Sequence, residues 1–258
     1  MFNIGHLLIQ RVSYIKNADK LSFCPLNLGG TTLNILFWDI DGTLLNTGRA
    51  GLYAIEEAFS ELQGKKVTVP PIAAGGRTDN YICQQLLFKA TGKMPAHADV
   101  SAFCRRYEKL LLKWISKTDG QVFPLVREIL PFFAERSDFK QVLLTGNSEY
   151  GARLKLDAYE LSSYFDFAHS GFACDFYYRD DMARHAYKLV QQAWGDAIEN
   201  IFVIGDTPYD IQCGKAIYAK TVAVSTGHYT AAQLKQHTPW WLVEHLPCPE
   251  EMLKKFNS

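Results

Sequence analysis

The stretch Ile35-Leu36-Phe37-Trp38-Asp39-Ile40-Asp41-Gly42-Thr43-Leu44 decides how the rest of the chain is read. Four apolar residues stop at an acid, a second acid follows two positions on, and glycine then permits a turn. A run this short, apolar at every position rather than at alternate ones, predicts a strand covered on both faces. Three more runs share the design: Val142-Leu143-Leu144 before Thr145, Ile201-Phe202-Val203-Ile204 before Gly205-Asp206, and Val222-Ala223-Val224 before Ser225-Thr226-Gly227. Helix-length segments at 148–160, 180–194 and 208–219 lie between the later ones. This alternation predicts an α/β fold, a Rossmann-like parallel sheet with helices on both faces. Ligands of such sheets gather at the carboxyl ends of the strands, where all four polar clusters fall.

Between the first two runs the chain is too long for a single crossover. Leu52, Ile55, Phe59 and Leu62 recur at helical steps, as do Val100, Phe103, Tyr107, Leu110 or Leu111, and Trp114. A further helix is expected to start at Thr78 or Asp79, either of which can cap it, and to run through Ile82 and Leu86. Residues 48–121 therefore read as an inserted α-helical cap, and 34–47 with 122–258 as the Rossmann-like core. Gly48 and Gly51 at one end of the insertion, and Asp119-Gly120 at the other, would let it flex. Residues 1–33 show no period and read as an N-terminal arm without an assigned role.

Composition excludes several function classes. The 258 residues are 48% hydrophobic, enough to bury a core, and the 27 Lys plus Arg balance the 27 Asp plus Glu. A neutral chain argues against a protein that coats nucleic acid or anionic lipid. No apolar run approaches the ~20 residues of a membrane helix. Six cysteines (24, 83, 104, 174, 213, 248) form no CxxC pair, so reduced thiols and a cytoplasmic location are expected. The aromatic residues are spread through strands and helices and read as core, and the histidines, including His185 and His228, lack ligand-like spacing.

Read from residue type alone, the strand-end clusters leave alternatives open. Asp39 and Asp41 can face one pocket, or be two solvated acids on a capped loop. Asp206 and Asp210, four residues apart, can both point back to that pocket and build an oxygen-rich site; Asp206 before Pro208 can equally be a helix start. Thr145 and the N–H groups after it can hold a phosphate oxygen, with Gly146 allowing close approach, and Asn147 can orient a substrate or cap the next helix.

Taken together, the motifs resemble a known family. Phe37-Trp38-Asp39-Ile40-Asp41-Gly42-Thr43-Leu44 is similar to the DxDGT signature of the haloacid dehalogenase superfamily, phosphatase branch. Leu143-Leu144-Thr145-Gly146-Asn147, a basic residue, and Ile204-Gly205-Asp206-Thr207-Pro208-Tyr209-Asp210 follow in the family's order. The resemblance spans roughly residues 34–255. It implies a phosphomonoester hydrolase, phosphoglycolate phosphatase-like, acting on a small phosphorylated metabolite. Asp39 would be the nucleophile that forms an aspartyl phosphate, Asp41 the general acid and base, and Thr145 a phosphate ligand. Mg²⁺ would be held by Asp39, the Asp41 carbonyl and Asp206, with Asp210 sharing ligation or standing behind it. The family's basic residue is usually a Lys before Pro. Here Phe176-Tyr177-Tyr178-Arg179-Asp180-Asp181 offers Arg179, with Lys155 as competitor. Ala74-Gly75-Gly76-Arg77-Thr78-Asp79 resembles the loop that helical caps present to the leaving group, where Arg77 would meet a carboxylate or second phosphate. Asp41 argues against a haloalkanoate dehalogenase. A phosphonatase would need a cap lysine, for which Lys65, Lys66, Lys89 and Lys93 have no recognisable setting. A β-phosphoglucomutase-like phosphotransferase and a non-catalytic binding protein are the alternatives carried forward. Oligomeric state is left open.

Overall fold

The structure is a computed structural model, and it describes residues 32–258 except 71, 73 and 174. Residues 1–31 of the expected arm, together with Cys24 and Cys174, lie outside the described residues. Leu33, expected in that arm, already belongs to the first strand.

Five strands form a parallel sheet: β1 (Leu33–Trp38), β4 (Phe139–Leu143), β5 (Ile198–Gly205), β6 (Lys220–Val224) and β7 (Trp241–Val243), in the order β4-β1-β5-β6-β7. Strand β1 is interior to the sheet, pairing with β4 on one side and β5 on the other. Its side chains alternate between two cores. Leu36 and Trp38 pack with α4 (Val126–Ala134), α5 (Glu149–Ala158) and α9 (Pro249–Phe256). Ile35 and Phe37 pack with α6 (Arg179–Trp194) and α7 (Pro208–Ala216). Both sets are fully buried, which is why this strand is apolar at every position. A short helix α8 (Ala231–Lys235) packs through Leu234 against Ile211 and Ala223.

The remaining elements lie between β1 and α4. A two-stranded antiparallel ribbon, β2 (Leu45–Asn46) with β3 (Gln121–Val122), carries the chain out of the sheet and back. Between its strands run α1 (Ala50–Gln63), α2 (Asp79–Thr91) and α3 (His97–Ile115), which enclose an apolar cluster of their own. Helix α3 has the expected period, with Val100, Phe103, Tyr107, Leu110, Leu111 and Ile115 buried. Trp114 sits at the edge instead, its indole N–H donating to Glu57 at 2.7 Å.

Helix α1 has the expected period but a different phase. Ala50, Ala54, Ile55, Ala58 and Phe59 are buried, whereas Leu52 and Leu62 are 37% and 52% exposed. Alanines four residues apart make a flat seam that lets α1 lie close against α3, so the small residues, not the leucines, define the packed face. Thr78, not Asp79, caps α2, its hydroxyl accepting from the Tyr81 N–H at 3.2 Å.

The two ends of the insertion are also tied more closely than their glycines suggested. Gly51 lies inside α1. Gly48 has φ +59, and a Cβ there would stand 2.8 Å from the Asp119 backbone. Glycine is thus needed where outgoing and returning chains cross. Beside that crossing, the Thr118 hydroxyl donates to the Thr47 carbonyl at 2.6 Å.

Among the described residues no helix is long and apolar enough to cross a membrane. Cys83, Cys104, Cys213 and Cys248 are free thiols.

Candidate active site

Parallel strands in register deliver their last residues to one edge. Asp39 follows β1, Thr145 follows β4, Asp206 follows β5, and Ser225-Thr226-Gly227 follows β6. The turn after Asp39 is held by backbone bonds: Gly42 N–H donates to the Leu45 carbonyl at 2.9 Å, and Leu44 N–H to the Ile40 carbonyl at 2.9 Å. The Thr43 hydroxyl inside this turn is buried with no partner among the described residues.

These residues line a cavity of about 550 Å³. Leu52, Ile82 and Tyr107 of the helical insertion also line it. Asp39, Asp206 and Asp210 are each no more than 5% exposed. Each has a carboxylate oxygen within 4.8 Å of the others'. Gly42, with φ +92, and Gly227 leave room around Asp206; a Cβ at either would clash with its carboxylate.

Three buried acids face one guanidinium. Arg179, 6% exposed, donates to Asp39 Oδ1 at 3.4 Å and to the Leu144 carbonyl at 3.2 Å, and forms an ion pair with Asp210 Oδ1. Burial opposes its charge, but Asp210 and Asp39 hold its pKa above the ordinary value. One cation does not balance the cluster. Burial, with the charges of Asp210 and Asp41, pushes Asp39 up to about 8. Burial, with Asp39 and Asp210, pushes Asp206 up to about 9. Asp206 Oδ1 is moreover buried without a hydrogen-bond partner among the described residues. An orphaned carboxylate oxygen in an all-oxygen cluster short of positive charge fits a hard divalent cation such as Mg²⁺.

The acids are not equivalent. Both Asp210 oxygens are engaged: Oδ1 by Arg179, Oδ2 by the Thr207 N–H at 3.0 Å and hydroxyl at 2.6 Å. Asp210 closes the capping box of α7 and fixes Arg179, so its carboxylate stands behind the cluster rather than open to it. The Asp41 side chain points away from the three buried acids. Its Oδ2 accepts from Lys155 Nζ at 2.6 Å and from Asn147 Nδ2 at 2.8 Å. The two basic candidates thus both enter the site, on different partners: Arg179 serves Asp39 and Asp210, while Lys155 serves Asp41.

The loop after β4 departs from one expectation. Asn147 does not cap the following helix; Ser148 does, its hydroxyl accepting from the Gly151 N–H at 3.0 Å. Asn147 is turned inward, where Nδ2 also donates to Thr145 Oγ1 at 2.7 Å and Oδ1 accepts from Lys155 at 2.7 Å. Thr145 is fully buried at the cavity wall, with its hydroxyl oxygen accepting from Asn147. Gly146 lies against the Arg77 backbone, and a Cβ there would clash with the Arg77 carbonyl. Arg77 itself lines the cavity, its guanidinium over the rings of Tyr81 at 4.8 Å and Tyr209 at 4.3 Å, with Nε buried and unpartnered. Lys65, Lys66, Lys89 and Lys93 are exposed and do not line the cavity. His185 and His228 are exposed.

Several contributors were not legible as site residues. Asp79 was read only as a possible cap. It reaches the site loop, accepting from the Ser148 N–H at 3.0 Å, while its own N–H donates to the Gly146 carbonyl at 2.7 Å. Burial pushes it up to about 6 against the pull of Lys155. Thr226, whose hydroxyl donates to the Gly42 carbonyl, was visible only as part of a polar cluster after a strand.

The profile of the haloacid dehalogenase-like hydrolase family matches residues 36–215, more than half of the chain. No curated protein matches it in sequence. Among solved structures it is similar to a haloacid dehalogenase-like family hydrolase of Streptococcus pneumoniae (19% identity, TM-score 0.57, covering 88% of this chain and 100% of that one). It is likewise similar to a HAD hydrolase of family IA, variant 3, from Entamoeba histolytica (17%, TM-score 0.65, 88% and 100%). A hydrolase of Pseudomonas syringae gives 16% identity and a TM-score of 0.62, covering 87% of this chain and 98% of that one. At these identities the neighbours speak for the fold, an α/β Rossmann-like sheet. Because the family profile covers more than half of the chain, the chain belongs to the haloacid dehalogenase-like hydrolase family.

Proposed function

We propose that the protein is a Mg²⁺-dependent phosphomonoester hydrolase that acts through an aspartyl phosphate on a small phosphorylated metabolite. One observation carries the reading. A buried acid, Asp39, and a second acid held by different partners, Asp41, share a cavity with an unbalanced carboxylate cluster. A nucleophile and a proton carrier need such unlike settings two residues apart. A binding scaffold needs neither.

In this reading Asp39 Oδ attacks phosphorus, and the P–O bond to the leaving group breaks with its electron pair staying on the leaving oxygen. Asp41 gives that oxygen a proton. Asp41 then takes a proton from water as the water oxygen bonds to phosphorus and the Asp39–phosphorus bond breaks, which restores both acids. Thr145 Oγ–H and the backbone N–H groups after it hold phosphoryl oxygens, and Arg179 fixes Asp39 while offsetting its charge. Asp39, the Asp41 carbonyl and Asp206 would hold Mg²⁺, with Asp210 behind them. When bound, the cation supplies positive charge against the phosphoryl oxygens. Helices α1–α3 act as a cap that covers the cavity and excludes water. The stacked Arg77 faces the substrate's leaving portion. Neutral charge and free thiols support a cytoplasmic setting and a small-molecule partner.

The test is phosphate release from a panel of phosphomonoesters: phosphoglycolate, sugar phosphates, nucleotides and p-nitrophenyl phosphate, each with Mg²⁺ and with chelator. The expected result is Mg²⁺-dependent release that is lost in Asp39→Asn. Release that survives in the variant would refute the assignment. Isomerised sugar phosphate without phosphate release would favour a phosphotransferase.

A further inference from the structure

Lys155 is a second buried cation that the phosphoryl-transfer scheme does not need, since Arg179 already serves the nucleophile. Only 4% of it is exposed. It lies in the last turn of α5, seven residues past the capping Ser148 and so on the same face. A helical side chain leans toward the helix N-terminus, and the Nζ accordingly reaches Asn147 and Asp41 at that end. Burying an ammonium is costly unless it is paired and hydrogen-bonded, so this arrangement is held against a gradient.

The network has a direction. A lysine can only donate, so the Asn147 atom at 2.7 Å from Nζ is the amide oxygen, and the amide nitrogen is the atom facing Asp41 and Thr145. Asp41 Oδ2 therefore receives two donors, Lys155 Nζ at 2.6 Å and Asn147 Nδ2 at 2.8 Å. No described group bonds Asp41 Oδ1, and the side chain is 41% exposed at the cavity. Two of the three Lys155 donors are consumed in this work, which leaves it poorly placed to serve as the phosphate-balancing base.

Building on the phosphatase reading above, we propose that Lys155 is a positioning residue: with Asn147 it pins Asp41 Oδ2 and thereby makes Oδ1 the oxygen that carries the proton to and from the reacting oxygens. The same amide ties this arrangement to Thr145, so the proton carrier and the phosphate ligand are oriented together.

Leaving-group dependence tests this, because an alkoxide must be protonated to leave whereas p-nitrophenolate leaves unaided. Single-turnover release of the leaving alcohol, which precedes the hydrolytic step common to both esters, would be measured for p-nitrophenyl phosphate and glycerol phosphate with wild type, Lys155→Met, Lys155→Arg and Asn147→Ala, beside steady-state kcat and KM. Lys155→Met should slow release from the alkyl ester by ~10²-fold, the range of general acid catalysis, and from the aryl ester by roughly 10-fold or less, with KM little changed. Lys155→Arg and Asn147→Ala should show the same selectivity, less steeply. Equal losses on both esters, or a raised KM with kcat retained, would overturn the proposal, the latter by making Lys155 a substrate ligand. Should Lys155→Met fail to fold, the same comparison in Lys155→Arg decides. Wild-type inactivity on both esters would instead strike the phosphatase reading itself.

Discussion

At the scale of single residues the site is governed by charge that its own side chains do not balance. Asp39 and Asp210 share Arg179, while Asp206 Oδ1 beside them has no donor among the described residues. Replacing Asp206 by Asn removes a carboxyl that burial and its acidic neighbours hold protonated in the metal-free fold at neutral pH, where the unfolded chain ionises it, and exchanges a carboxylate ligand for a neutral amide. Metal-free Asp206→Asn should therefore melt a few degrees above metal-free wild type at neutral pH, about 1 kcal/mol being worth ~2–4 °C in a domain of this size. Mg²⁺ should raise the melting temperature of wild type and leave the variant unmoved. An equal Mg²⁺ shift in both would remove Asp206 from the cation site. Asp79 gives a prediction in pH. Its carboxyl titrates at about 6 in the fold against an ordinary 3.8, so the folded state favours the protonated form. The stability this contributes is full below the unfolded value and is lost as pH rises through about 6. Asp79→Asn keeps an acceptor for the Ser148 N–H and cannot ionise. Its advantage over wild type in urea melts should be larger at pH 8 than at pH 5 by about 1 kcal/mol. A pH-independent difference would mean that Asp79 titrates as it does in water.

At the scale of elements, the inserted helices carry their own core, and its packing is set by residue size. Leu111 is fully buried in α3 among the side chains of that cluster. Leu111→Ala should cost about 2–5 kcal/mol through lost burial and the cavity left behind. In hydrogen exchange, amides of α1–α3 should lose protection before those of β1, β4 and β5. Uniform loss across the chain would show instead that insertion and sheet unfold as one unit. The insertion's period was readable, because α3 repeats large apolar residues every three or four positions. The phase of α1 was not. Its leucines outrank alanine in any hydrophobicity argument, but Ala50, Ala54 and Ala58 join Ile55 and Phe59 on the buried face, where Phe59 meets Phe103 of α3. Helix α4 with its internal Pro131, the three-residue edge strand β7 and the two-residue strands β2 and β3 were likewise beyond reading, being too short or too irregular for a period to register.

At the scale of the whole molecule, the chemistry depends on five parallel strands ending at one edge. Asp39→Asn, which abolishes turnover in the proposed scheme, should leave that edge and the fold intact; a variant that loses its fold would mean the charge is structural. The sequence by itself determined four of the sheet's five strands, because the apolar runs within β1, β4, β5 and β6 are covered on both faces, where uninterrupted apolar sequence is needed. It also determined the places where chemistry belongs, since polar residues directly after such runs must sit at the carboxyl edge. Only the tertiary structure decided which of those residues meet. Lys155 and Asp41 are 114 positions apart, and Arg179 and Asp39 are 140 apart. No local spacing encodes such pairs, because they are made by strand register and by the direction a side chain leans from its helix. The assignment of one cation to Asp39 and the other to Asp41, and the inward turn of Asn147 once Ser148 takes the helix cap, are products of packing alone.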